Sequence, residues 1–169
     1  LAERGIVAQM DQVRQSVGDK ASDLVGNAMT FLGVPYRRGG TSASTGFDCS
    51  GFVRSMFEQT VGKVLPRRAS DQAAVTEKID KQDLKPGDLV FFNTMRLTFS
   101  HVGIYVGDNK FIHSPSKGTS VRVDDLGSLY WDKRFDGARR LDGSDNLGDA
   151  ERQELLNEVN KLKRKSRSL

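Results

Sequence analysis

The segment His101-Val102-Gly103-Ile104-Tyr105-Val106 alternates in polarity, and Phe111-Ile112-His113 follows a short polar stretch, so the two read as an antiparallel β-hairpin. Val102, Ile104 and Val106 share one face of the first strand. On the return strand Ile112 is the core residue and His113 points the other way. Putting both apolar sets on one face sets Ile104 opposite Ile112. That register implies an odd loop of three residues, Gly107-Asp108-Asn109, with Asn109 at the left-handed position. It pairs Gly103 with His113 and leaves His101 diagonal to it, about 7–8 Å away along the backbone. Gly103 has no side chain, so His113 has room to lean toward His101. An even loop would send the two histidines to opposite faces.

The rest of the chain supplies helices before this hairpin and strands around it. A helix is predicted over Ser22 to Leu32, with Leu24, Val25, Ala28, Phe31 and Leu32 on one face, Gly33 closing it and Pro35 preventing its resumption. Residues 37–46 are rich in Gly, Ser and Thr and read as a loop. A second, largely buried helix is predicted over Cys49 to Val61, from Phe52, Val53, Met56, Phe57, Thr60 and Val61. The turn Lys85-Pro86-Gly87-Asp88 launches a strand at Leu89-Val90-Phe91-Phe92. Further strands are expected at Phe111 to Ser114, Val121 to Val123 and Gly137 to Leu141. Helices followed by a run of strands argue for an α+β fold with an antiparallel sheet. Residues 1–20 read as an arm or linker and 143–169 as a charged helical tail with Leu155, Leu156, Val159 and Leu162 on one side. Residues 21–142 form the domain between them.

With 169 residues, 37% of them hydrophobic and 28% charged, the chain suits one globular domain. It contains no run near the roughly 20 apolar residues that span a bilayer. Its net charge of +4 is concentrated at the end, in Lys161-Leu162-Lys163-Arg164-Lys165-Ser166-Arg167. That run reads as a solvated tail; as a binding patch it would suit an anionic polymer or a membrane surface. No nucleic-acid motif is present and no aromatic residues interleave the basic ones. Opening on Leu1, the chain is expected to be a processed or trimmed form.

A single cysteine, Cys49, excludes an internal disulfide. Asp48 is a good N-cap, so Cys49 falls in the first turn of its helix, where free amides and the helix dipole favour an anion and lower a thiol pKa. An imidazole nearby would favour the thiolate further. One thiol and two imidazoles are the minimum set for a cysteine nucleophile, a general base and a residue that orients the base. Two plainer readings stand beside this one. A lone cysteine is commonly a small buried hydrophobe. Cys49, His101 and His113 could also ligate a catalytic zinc with one open position, although closely spaced ligand pairs are absent.

The ordered blocks Gly33-Val34-Pro35-Tyr36, Gly39-Gly40, Phe47-Asp48-Cys49-Ser50-Gly51-Phe52-Val53, Leu65-Pro66-Arg67, Leu84 to Phe92, His101 to Val106 and Phe111-Ile112-His113 resemble the NlpC/P60 family of papain-like cysteine peptidases that cut bacterial cell-wall peptides. The resemblance implies a papain-like fold, with the nucleophile helix packed on a central antiparallel sheet. It implies Cys49 as nucleophile, His101 as base and His113 as the residue that orients the base, with no metal and no organic cofactor. Tyr36 matches a tyrosine that positions substrate or polarises the oxyanion, and Asp48 and Ser50 match positions that in some relatives contact a substrate amine. Arg38 departs from the pattern, standing where many relatives carry an aromatic residue. The ending Tyr130-Trp131 through Gly137-Ala138-Arg139-Arg140 resembles compact periplasmic members from Gram-negative bacteria.

The activity so implied is hydrolysis of an amide bond in peptidoglycan stem peptides through an acyl-enzyme. An amidase or acyltransferase on the same thiol core, and a non-catalytic wall-binding scaffold, are the rival readings. The resemblance implies an exported, periplasmic or envelope-associated protein, its signal or lipid anchor outside this chain. Beyond stem peptides, the partners to expect are a regulatory or targeting protein and a peripheral membrane contact, with no nucleic acid.

Overall fold

The computed structural model describes residues 20–94 and 96–141. The arm expected over 1–20, Lys20 excepted, and the tail over 143–169 lie outside the described residues. Helix α1 (20–29) buries Leu24 and Ala28. It ends three residues earlier than the spacing predicts. Amides of Thr30, Phe31 and Leu32 bond back to the carbonyls of Asn27, Ala28 and Met29, tightening the chain into Gly33 at φ +90°. Leu32, expected on the buried face, is exposed in consequence. The tightening lets Gly33, Val34 and Tyr36 bond to Val121 and Thr119 instead.

Within the stretch expected to be a loop, β1 (Thr41–Ser42) and β2 (Gly46–Phe47) form a minimal hairpin. Helix α2 (Cys49–Val61) has the bounds its pattern predicts, capped by Asp48 and closed by Gly62 at φ 71°. Helix α3 (Ala69–Ala74) follows, then β3 (Glu77–Ile79) and a 3₁₀ turn at Lys81–Asp83. The remaining elements are β4 (Leu89–Phe92), β5 (His101–Gly107), β6 (Lys110–His113), β7 (Arg122–Asp125), α4 (Leu129–Arg134) and β8 (Phe135–Arg140). Six strands make one antiparallel sheet in the order β3-β8-β4-β5-β6-β7. The turn before β4 is held by Asp88, which accepts from the Lys85 amide at 2.7 Å and from Arg140 at 2.8 and 2.9 Å.

Both faces of the sheet are covered. On one side Leu89, Phe91, Val102, Ile104 and Ile112 pack with Phe52, Val53, Met56 and Phe57 of α2 and with Leu24 and Ala28 of α1. On the other, Val90, Phe92 and Phe111 pack with Leu126 and Trp131. This explains why Leu89-Val90-Phe91-Phe92 does not alternate in sequence: every side chain of β4 is buried. Burying each large apolar side chain contributes about 1.5–3 kcal/mol, so packing rather than helix propensity anchors α2.

The hairpin has the expected core register, Ile104 opposite Ile112. Its loop is shorter than expected. After Tyr105↔Phe111 the register shifts to Gly107↔Lys110, leaving a bulge at Val106 and a two-residue turn. Asp108 and Asn109 take φ of 52° and 59°, the paired left-handed conformation of a type I′ turn. A two-residue turn alone would reverse the face of one strand, and the extra residue in β5 restores it. Both histidines therefore stay on the face opposite α2.

Gly103 sits where the two rings need space. A Cβ there would lie 2.8 Å from a ring carbon of Phe111 and 3.1 Å from the Cβ of His113. Gly103→Ala is expected to cost about 1–3 kcal/mol in urea denaturation through overpacking. A variant as stable as the parent would show that the hairpin can shift to admit the methyl group.

Candidate active site

The loop before α2 is fixed by one carboxylate. Asp48 Oδ1 accepts from the Gly51 amide at 2.7 Å, and Oδ2 accepts from the Gly39 amide at 3.1 Å and from Arg67 Nη2 at 2.7 Å. Arg67 Nη1 also donates to Ser50 Oγ at 2.8 Å. Gly51 allows the close approach this needs, since a Cβ there would collide with the Gly40 carbonyl. Gly39-Gly40, Asp48, Gly51 and Arg67, distant in sequence, thus form one brace around Cys49. Asp48 and Ser50, expected to contact a substrate amine, direct their side chains to Arg67.

Cys49 opens α2 and is half-buried. Its Sγ lies 3.9 Å from the Ser100 carbonyl, and the Val102 amide also hydrogen-bonds to it. Those two residues flank His101, so the thiol stands at the entrance of β5. Burial is the largest influence on the thiol and pushes its pKa above the ordinary value; the amides of Val102, Ser50 and Cys49 pull it down less strongly. The expectation of an acidified thiol is therefore corrected. A helix N-terminus favours the anion, but desolvation of the sulfur outweighs it.

His101 and His113 meet as the register predicts. His101 Nε2 and His113 Nδ1 are 2.7 Å apart, and both rings are buried. His113 Nε2 lies 2.7 Å from Asp124 Oδ2, and Arg122 Nε donates to the same oxygen at 2.8 Å. Trp131 closes the pair from α4, stacked on His101 at 5.4 Å and edge-on to His113 at 4.9 Å. Burial lowers the pKa of His101 well below the usual imidazole value, and its neighbour His113 lowers it further. Burial also lowers that of His113, against the opposing pull of Asp124. Asp124 itself is held down to about 2, chiefly by its bond from His113. Near neutral pH two neutral rings therefore face one carboxylate, and the protons can be assigned. Asp124 can only accept, so His113 carries its proton on Nε2 and presents a lone pair at Nδ1. His101 must then donate from Nε2, which leaves its Nδ1 unprotonated. Tetrahedral zinc with ligands at about 2.0–2.1 Å would hold the two nitrogens about 3.4 Å apart, so their spacing suits a hydrogen bond rather than a metal.

Tyr36 bridges to Phe47, directly before the Asp48-Cys49 pair. Burial raises its pKa, and the anionic forms of Cys49 and Asp48 would each raise it further, so the phenol keeps its proton beside the thiol. Arg38 is exposed on the same turn. The structure thus gathers Tyr36, Asp48, Cys49 and Ser50 at the head of α2, and His101 with His113 at the head of the hairpin.

Residues 33–140 match the model of the NlpC/P60 family. This chain belongs to that family. It is 45% identical over 120 residues to the gamma-DL-glutamyl hydrolase of Bacillus subtilis, covering 70% of this chain and 29% of that one. To the murein DD-endopeptidase MepH of Escherichia coli it is 44% identical over 116 residues, covering 67% and 43%. It therefore spans less than half the length of either relative. A solved NlpC/P60 family protein from Bacillus cereus superposes with a TM-score of 0.67 at 38% identity, over 71% of this chain and 39% of that one. The α+β NlpC/P60 fold expected from the motif blocks is the fold observed.

No site role was read for Asp124, or for Trp131, which entered only within the block Tyr130-Trp131. Asp124 had a readable signal. Val121 and Val123 face the core, so Arg122 and Asp124 fall on the histidine face once Ile112 pairs with Val123. The place of Trp131 beside the rings was not readable from periodicity, because α4 spans only Leu129–Arg134.

Because burial holds the thiol protonated, alkylation of Cys49 by iodoacetamide should accelerate through and beyond pH 9 in the free protein. A rate already level at pH 7 would reveal a resting thiolate and contradict the desolvation account.

Proposed function

We propose that residues 21–142 form the catalytic domain of a cysteine peptidase that hydrolyses an amide bond in peptidoglycan stem peptides. The observation that carries the reading is the 2.7 Å bond between His101 and His113 at the head of the strand whose flanking residues touch the Cys49 thiol. A buried cysteine has no need of an orienting pair of neutral imidazoles beside it; a nucleophile does.

In this reading the resting site holds a thiol and a neutral imidazole. As the Cys49 sulfur attacks the scissile carbonyl carbon, His101 takes the thiol proton at its free nitrogen and becomes an imidazolium. The developing oxyanion meets the backbone amide of Cys49, in a helical turn with unsatisfied donors, and the protonated Tyr36 phenol. Collapse of the tetrahedral intermediate breaks the carbon–nitrogen bond as His101 gives its proton to the leaving amine. His101 then deprotonates a water that attacks the thioester, releasing the acid and restoring the thiol. His113 keeps the His101 ring and tautomer fixed throughout. Asp48 and Arg67 hold the loop that places Cys49.

The family supports the peptidase class, and the name of the Escherichia coli relative, a murein endopeptidase, supports wall peptides as substrate. One relative is named for a gamma-DL-glutamyl bond and the other for a DD bond, so the bond cut here is read from products. Such a substrate implies export to the cell envelope. Among the described residues no helix is long and apolar enough to cross a membrane.

Purified peptidoglycan digested with wild type should release fragments with new amino and carboxyl ends, and mass spectrometry of those ends names the bond. Cys49→Ala should lower the rate by at least about 10⁴-fold while leaving the melting temperature nearly unchanged. Hydrolysis retained in that variant would sink the thiol mechanism. Fragments cut at the sugar–peptide amide would convert the reading to an amidase, and sedimentation with the wall without cleavage would favour a scaffold.

A further inference from the structure

The two imidazoles account for each other's orientation only if something outside the pair decides which nitrogen carries each proton. Neutral imidazoles joined Nε2 to Nδ1 can bond in either sense. In one, His101 donates and keeps a free lone pair at Nδ1; in the other, His113 donates and His101 carries its proton on Nδ1, where it can no longer accept one from a thiol. Nothing in the pair itself chooses between them.

The choice is made on β7. Its register with β6 sets Phe111 opposite Asp124 and His113 opposite Arg122, so both charged residues stand on the face of the histidine ring. Asp124 Oδ2 receives His113 Nε2 and Arg122 Nε together, at 2.7 and 2.8 Å. The guanidinium thus holds the carboxylate in place while leaving it an acceptor for the ring. His113 is fully buried, whereas Asp124 stands at the rim with about a quarter of its side chain accessible. The remaining neighbours of the pair, Phe92 of β4, Phe111 of β6 and Trp131 of α4, carry no charge. On the segment that enters β5, Cys49 at the head of α2 stands by the Ser100 carbonyl, and Asp136 accepts from the Phe99 amide at 2.8 Å. Among the groups that act on the rings, Asp124 is the anion.

We propose that Asp124 is a positioning residue of this site, fixing the proton of His113 on Nε2 and thereby the free lone pair of His101 on Nδ1, with Arg122 holding Asp124 in place. The proposal rests on the reading of His101 as the base and extends it. It gives the carboxylate a second task. When His101 takes the thiol proton in a pocket that excludes water, the new positive charge has Asp124 two hydrogen bonds away as its counter-ion. The proton balance is local: the thiol loses a proton, His101 gains it, and the bonds to His113 and Asp124 shorten without a further transfer being required.

Asp124→Asn and Asp124→Ala separate the two tasks. The isosteric amide keeps an acceptor for His113 and loses the charge, so His101 should stay in its Nε2–H tautomer and kcat should fall about 10-fold. Alanine loses both, so kcat should fall about 100-fold, with KM within about twofold in each case. With the anion gone the rings become harder to protonate, so the acid limb of the pH profile of kcat/KM should move to lower pH in both variants. Nitrogen-15 NMR of the two rings reads the same effect without any substrate. Asp124→Ala should show His113 partly protonated on Nδ1, and it should do so even if the protein cuts no wall peptide, which separates this proposal from the functional reading. Reduced stability with kcat, acid limb and tautomers unchanged would make Asp124 a brace between β6 and β7 and overturn the proposal.

Discussion

The pairing of Ile104 with Ile112 is the constraint on which the site depends. Both side chains face α2, and because strand side chains alternate, that single choice sends His101 and His113 together to the opposite face. Gly103 leaves the gap into which His113 leans, and the bulge at Val106 preserves the parity that the tight Asp108-Asn109 turn would otherwise break. Hydrophobic burial therefore sets the geometry of two polar groups that contribute nothing to that burial. A one-residue slip would expose the core face and separate the imidazoles in the same step.

Burial then dictates the electrostatics. Trp131, Phe92 and Phe111 wall off the two rings, whose pKa burial lowers, and burial against the core on the α2 side raises that of the Cys49 thiol. Each shift favours the neutral form. In the proposed mechanism the resting site is then a thiol and a neutral imidazole rather than an ion pair, and charge separation is deferred until substrate arrives. In such a site the few fixed charges matter. Asp124 is held ionised by His113 and Arg122, and Asp48 is committed to Arg67 and to the backbone of the loop that presents the thiol.

The sequence was most legible where periodicity and function coincide. The bounds of α2, the strand at Leu89–Phe92 and the hairpin register were all readable because long apolar patterns leave few alternatives. Short elements were not: α3 and α4 are six residues each, less than two turns, and β1 and β2 are two residues each. The bulge at Val106 escaped for a different reason, since a three-residue loop and a two-residue loop with one inserted residue give the same alternation. The acidity of Cys49 was not legible because the helix terminus is written in the sequence and the desolvation is not; it comes from packing against the core under α2. Asp124 was within reach of strand alternation once its strand was extended past Val123.

The central claim is that His101 and His113 form a buried, neutral, singly oriented pair. Because they are the only histidines in the chain, long-range proton–nitrogen NMR reads both without ambiguity. Recorded on the wild-type protein from pH 8 to pH 5, the spectra should show His101 protonated on Nε2 and bare at Nδ1, with neither ring gaining a second proton as the pH passes 6.5. A His101 ring protonated on Nδ1, or one that titrates at the ordinary imidazole value, would contradict the account.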